Sequence, residues 1–336
     1  MTDTPFTYCV EVYRDGVLLE SAVASLGPCF EDALWHGILA GRFPNDGSVP
    51  RLSAVPLWAS SGPPAVKGFR LETAGEAAGH YDLNAFAPRA QGVIRNLLLN
   101  KVLVDKEQVE WNVVAVAEST DDEPRFRSRL SRAPYPLQVG GLPGAQPDAL
   151  STVFEPAVLD AIRRGIVEAY PCEVAGLLVG DLVFDPARRA VELTVKDQLP
   201  VSAGAGGASG GHFSFGPESF RSARNAVDEL ENGVTCGWWH SHPPCKDCRA
   251  KPDCMADMVF FSADDMQVQA SAFPATYAVA LVGGKVRAQP AGNPGFRLYG
   301  WQRGSIVERE LRVLGLADAQ DGESLASAQR DEEVST

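Results

Sequence analysis

The sequence predicts an α+β protein of two domains. Strand-like and helix-like patterns alternate within residues 1–118, a polar and then Pro/Gly-rich stretch interrupts them over 119–150, and the alternation resumes at 151. At 336 residues the chain is long enough to build two cores, and an apolar fraction of 45% with 22% charged residues is that of a globular protein.

Phe6 to Tyr13 and Val17 to Ala24 flank Asp15-Gly16, a tight-turn pair, and read as a hairpin. Phe30, Leu34, Ile38 and Leu39 fall at helical spacing over 29–40, and Val93, Leu97 and Leu98 do so over 88–101. Trp111 to Val116 reads as a buried strand. This first region, 1–118, carries no cluster of metal ligands and no nucleophile–base pair; it reads as a partner- or substrate-binding module. Residues 119–150 read as a linker. Their Arg125, Arg127, Arg129 and Arg132 are a solvated strip or a docking strip for an acidic partner.

The second domain, 151–316, opens with a helix from Pro156 to Ala169, Pro standing in the first turn. Strands are expected at 174–180 and 190–199. The Gly/Ser/Ala loop 204–211 lacks the Lys-Ser/Thr ending of a phosphate-binding loop. A helix from Pro217 to Leu230, a strand bearing two histidines, a Cys-rich insertion at 243–260, a helix from Ser262 and a terminal meander follow. Residues 317–336 are polar and acidic and read as a disordered tail.

Several classes are excluded. A formal net charge of -13 opposes binding to nucleic acid. No apolar run is long enough to span a membrane, and the N-terminus does not read as a signal peptide, so a cytoplasmic protein is expected. In that compartment the seven cysteines are expected to be reduced. Cys9, Cys29 and Cys172 read as core residues.

The chemistry concentrates in Cys236-Gly-Trp-Trp-His240-Ser-His242-Pro-Pro and Ser262-Ala-Asp-Asp265. Thr235 to Trp239 is β-prone, and alternate residues of a strand share a face, so His240 and His242 point together. With Asp265 they supply three ligands and leave a tetrahedral metal one open position, as in a catalytic zinc site. The same alternation puts Trp238 on the histidine face, lining a groove or filling the space beneath the metal. Cys236 shares that face but lies too far along the strand to be an obvious ligand of the same ion. Trp239 points away. Ser262-x-x-Asp265 is also a capping box, which would hold the carboxylate at a defined spot. Glu173, just ahead of an apolar Gly-punctuated strand, is either a strand's polar end or a general base at the mouth of the site. Cys245, Cys248 and Cys254 contain a zinc half-site, Cys-x-x-Cys. Their fourth ligand is unassigned among Asp247, Asp253, Asp257, Cys236 and His212, and the alternative is loop thiols without metal.

Glu173 before Gly-Leu-Leu-x-Gly, then Gly-Trp-Trp-His-Ser-His-Pro, then Ser-x-x-Asp, resembles the JAMM (MPN+/JAB) zinc metalloproteases over about residues 151–300. The resemblance implies a three-layer fold around a mixed sheet, a Zn2+ held by His240, His242 and Asp265, Glu173 activating the water, and Ser262 donating to the oxyanion. It implies cleavage after the C-terminus of a ubiquitin-like protein, in precursors or conjugates. The implied setting is a bacterial pathway with E1-like activating and E2-like conjugating enzymes, some such pathways serving phage defence. It also places Gly210, Gly211 and His212 where relatives pair with the substrate's extended tail; the alternative is a floppy surface loop. The insertion at 243–260 is longer than the family's short connector, and a second, structural zinc on its cysteines is expected to pin it. Rival readings are a peptidase of a sulfur-carrier protein and a non-catalytic module that binds a ubiquitin-like partner.

Overall fold

The computed structural model describes residues 6–44, 46, 48–59, 65–73, 76–104, 107–117, 125–128, 131–133, 150–185, 187, 190–201, 215–242, 257–285 and 294–315. The fold is α+β. The expected hairpin forms as β1 (Phe6–Arg14) and β2 (Val17–Val23), turning through Asp15 and Gly16, both at positive φ. The two helical patterns become α1 (Gly27–Leu39) and α2 (Ala87–Leu99), each with Pro in its first turn. A three-stranded sheet lies between them in sequence: β3 (Ser53–Trp58), β4 (Val66–Thr73) and β5 (Glu76–Asp82). The sequence pattern misses these strands. Pro56 interrupts β3, an edge strand where a lost N–H is tolerated, and Gly-Ala content dilutes β5. β6 (Val109–Ala117) pairs with β1, and then with β7 (Arg125–Arg127) and β8 (Ser131–Ala133). The stretch read as a linker thus contributes two strands to the first sheet, and Arg127 pairs with the buried Glu11 at 3.0 Å.

From Leu150 on, the chain builds an eight-stranded mixed sheet ordered β15-β14-β13-β12-β10-β11-β9-β16. Its strands are β9 (Leu150–Phe154), β10 (Ala175–Asp185), β11 (Ala190–Val201), β12 (Gly233–Ser241), β13 (Val279–Gly284), β14 (Gly295–Gln302), β15 (Ser305–Arg309) and β16 (Arg312–Val313). α3 (Pro156–Ala169) begins and ends where the sequence places it, because Pro156 starts it and its stripe of Val158, Leu159 and Ile162 packs on one face of the sheet with Trp239 and Leu178. On the other face, α4 (Pro217–Val227) and α5 (Ala263–Ala272) bury Ala223 and Met266 against Trp238, Leu177 and Ala280. Helix, sheet and helices make three layers.

The two halves of the chain pack closely. Leu39 of α1 lies in the second domain's core, Trp35 stacks on Tyr277 with ring centroids 6.0 Å apart, and α2 lies along α5. A Cβ on Gly304 of the second domain would sit 2.2 Å from Cys29 Sγ of the first. No helix among the described residues is long and apolar enough to cross a membrane.

Candidate metal centre

Three segments meet at one end of β12. His240 and Ser241 end that strand, and His242 follows with its N–H donated to Gly283 O of β13 at 2.9 Å. Glu173 precedes β10, whose Ala175 registers opposite His240. Ser241, buried between the two histidines, fixes this approach: its N–H donates to Val174 O at 2.8 Å and its hydroxyl accepts from Val174 N at 3.1 Å. Asp265 arrives on the first turn of α5. The capping box forms, with Ser262 Oγ accepting from Asp265 N at 3.2 Å and Asp265 Oδ2 accepting from Ser262 N at 2.6 Å.

The donor atoms converge. His240 Nε2 lies 3.0 Å from His242 Nε2, Asp265 Oδ1 lies 3.2 Å from His240 Nε2, and Asp265 Oδ2 lies 3.6 Å from His242 Nε2. Tetrahedral donors about 2.0–2.1 Å from a zinc ion are separated from each other by roughly 3.3–3.4 Å, and these three edges bracket that value. Donor atoms of Glu173, His240 and His242 also lie within 4.8 Å of one another. The two histidines therefore converge with either carboxylate, Asp265 or Glu173, as a three-donor set that fits a divalent metal.

The surroundings orient the rings. Met258 O lies 2.9 Å from His242 Nδ1; a carbonyl only accepts, so Nδ1 carries the hydrogen and the ring, when neutral, turns its Nε2 lone pair toward the site. The His240 ring stacks on Trp238, centroids 4.7 Å apart and 16° from parallel. Trp238 Nε1 donates to Gln269 Oε1 at 2.8 Å, and Gln269 Nε2 donates to Ala278 O at 2.9 Å. The open side is marked by Phe260, which is 43% exposed and whose ring lies 4.5 Å from that of His242.

Burial alone would raise the Asp265 carboxyl, but the two facing imidazoles outweigh it and hold its pKa far below the usual carboxylate range. For His242, burial pulls the pKa down, and Asp265 and Glu173 together push it above the ordinary imidazole value. Protons then compete with a metal for His242 at a higher pH than for a free imidazole. Zinc affinity is expected to fall as the pH drops through the range in which this imidazole takes up its proton, by about tenfold per unit below it for each proton displaced. Chelator competition across that range checks this, and a flat profile would contradict it.

His240, His242, Asp265 and Glu173 come together, and Ser262 caps the helix beside them. Trp238 is fully buried beneath His240, so it forms the site's floor rather than a groove wall. Cys236 leaves the histidine face: Leu178 registers with Gly237 and Val179 with Thr235, so a bulge skips Cys236 and turns it into the core with Trp239. Cys172 is exposed, because it lies in the turn after α3 ahead of β10. Asp257 is engaged with Arg297 at 2.6 Å and with Val259 N at 3.2 Å. Cys245, Cys248, Cys254, Gly210, Gly211 and His212 lie outside the described residues, as does the 317–336 tail. The sequence pattern misses Ser241, Gln269, Phe260 and the carbonyl of Met258. Of these only Gln269 carries a signal, one helical turn after Asp265 on the same face.

No family model matches the chain, and no curated protein matches it. Among solved structures, a solution structure of a protein from Desulfitobacterium hafniense is 20% identical, covering 48% of this chain and 92% of that one, with a TM-score of 0.34. A Jab1/MPN domain protein from Archaeoglobus fulgidus is 17% identical, covering 49% of this chain and 98% of that one, with a TM-score of 0.26. Likenesses this weak say nothing of the site.

Proposed function

We propose that this chain is a zinc metallopeptidase of the JAMM (MPN+/JAB) type. Its substrate is the amide bond after the C-terminus of a ubiquitin-like protein, in a precursor or a conjugate, within a bacterial pathway such as one of phage defence. The observation that supports this reading is the triangle of His240, His242 and Asp265 donors, with edges of 3.0, 3.2 and 3.6 Å, and the Glu173 carboxylate beside it.

Bound there, zinc would polarise the scissile carbonyl and bring a water's pKa toward roughly 7. The protein supplies the rest. Glu173 takes a proton from the attacking water and hands it to the nitrogen of the leaving amine as the C–N bond breaks. Ser262 Oγ accepts from Asp265 N, which leaves its own proton to donate to the oxygen that gains charge at the carbonyl. Asp265 stays ionised between the imidazoles. Trp238 and Met258 O keep both rings aimed.

The test is a ubiquitin-like protein fused through its C-terminal Gly-Gly to a reporter. Cleavage at that junction should stop on chelation and return with zinc. Tight binding without cleavage would make the chain a recognition module instead. Trimming of a sulfur-carrier protein with the fusion left intact would shift the substrate class. Cleavage that survives chelation would overturn the metal mechanism.

A further inference from the structure

α5 carries Ser262 as its cap and Asp265 in its first turn, so its placement decides where the carboxylate lies. The first domain touches this helix at its first turn and again in the loop that follows it. Arg95 Nε, on α2, lies 2.5 Å from Oδ1 of Asp264, the residue before Asp265. Past the other end, Glu31 of α1 accepts from Thr276 N at 2.7 Å, with Thr276 Oγ1 3.2 Å from the same oxygen. Between these points α2 runs close alongside: a Cβ on Gly92 would lie only 3.7 Å from Gln267 Oε1.

Geometry links the grip to the site. Successive residues of an α-helix project about 100° apart, so Asp264 and Asp265 face different neighbours from one turn. Asp264 faces α2, and Asp265 faces the histidines. Rotating α5 to suit one residue displaces the other. The Arg95 contact therefore bears on the helix's rotation, and the Glu31 contact on the loop that follows it. Among the described residues α5 is also tied to its own sheet by the capping box, by Met266 in the core and by Gln269 on Trp238 and Ala278. None of these engages Asp264, which Arg95 does.

We propose that the N-terminal domain positions the metal centre, with Arg95 and Glu31 as positioning residues that hold Asp265 against His240 and His242. This rests on the metal-site reading above. It assigns the first domain a part in the site itself, although it contributes none of the ligand side chains.

The experiment uses the full chain with zinc and cobalt alone as probes. Arg95→Glu sets two acids against each other and should weaken zinc binding by about tenfold, the lower end of what outer-shell partners contribute. It should also alter the visible absorption of the cobalt-loaded protein, a signature of ligand geometry that a general loss of stability does not move. The exchange Arg95→Glu with Asp264→Arg restores the pair and should return both readouts toward wild type. At the other end, Glu31→Ala should weaken zinc binding, whereas Glu31→Gln keeps an acceptor for Thr276 N and should retain it. If Arg95→Glu fails to fold, the Glu31 pair and the exchange variant still decide. Unchanged affinity and spectrum in Arg95→Glu and Glu31→Ala would overturn the proposal, as would an exchange variant no better than Arg95→Glu. A wild-type chain that takes up neither ion would instead remove the metal reading on which the proposal stands.

Discussion

Glu173→Gln is expected to lower cleavage by about 10²–10⁴-fold, the range for a lost general acid–base group, while each catalytic centre keeps its metal. The two halves of this result separate the roles open to Glu173. Its carboxylate lies with His240 and His242 inside one 4.8 Å cluster, close enough to be counted as a ligand on distance alone. Asp265 already closes the triangle with edges of 3.2 and 3.6 Å, which leaves Glu173 the position beside the open corner. Gln preserves size and one acceptor but cannot take a proton. Loss of activity with full metal content therefore means a base. Parallel loss of metal and activity would mean that Glu173 is a ligand and that Asp265 serves the helix cap. Metal analysis and single-turnover rates on the same preparation decide between them.

What the sequence makes legible here is local. Asp15-Gly16 dictates a turn whatever surrounds it, Pro156 starts a helix, and Ser262-x-x-Asp265 caps one; each is set within a few residues and each is found in place. The paired histidines are legible because strand alternation needs no knowledge of the neighbouring strands. Alternation fails two residues upstream of Trp238, at Cys236, because the bulge there answers to the register of β10, which lies about 60 residues away. Ser241 was silent for a similar reason: its hydroxyl is spent on Val174 N, 67 residues earlier. Met258 enters the site through its carbonyl, which its residue type does not announce. The dependence of α5 on Arg95 and Glu31 is a product of domain packing, and no pattern within either domain encodes it.

The second large effect is expected at Gly237, two residues past the start of the bulge pairing and three before His240. Its φ of +145° is one that residues with a side chain rarely adopt. A Cβ there would also lie 1.9 Å from Val279 O and 2.8 Å from Val279 C, and backbone atoms cannot rotate aside. Gly237→Ala must therefore lift β12 from β13 at the Gly237–Val279 pair, from which Trp238, His240 and Ser241 take their register. A destabilisation of roughly 3 kcal/mol or more is expected, which lowers the melting temperature by about 4–10 °C. Zinc binding should fail with it, because the displaced strand carries both ring ligands and the indole under one of them. Gly16→Ala is the control: φ is +77° in the hairpin turn, yet a Cβ there meets nothing within 4 Å. It suffers the backbone strain alone, about 1–2 kcal/mol, and should bind zinc as wild type does. Thermal melts and zinc titrations of the two variants separate strain from collision. If Gly237→Ala behaves like Gly16→Ala in both, then β12 and β13 do not approach as closely as the site requires, and the histidines owe their placement to something other than this strand pair.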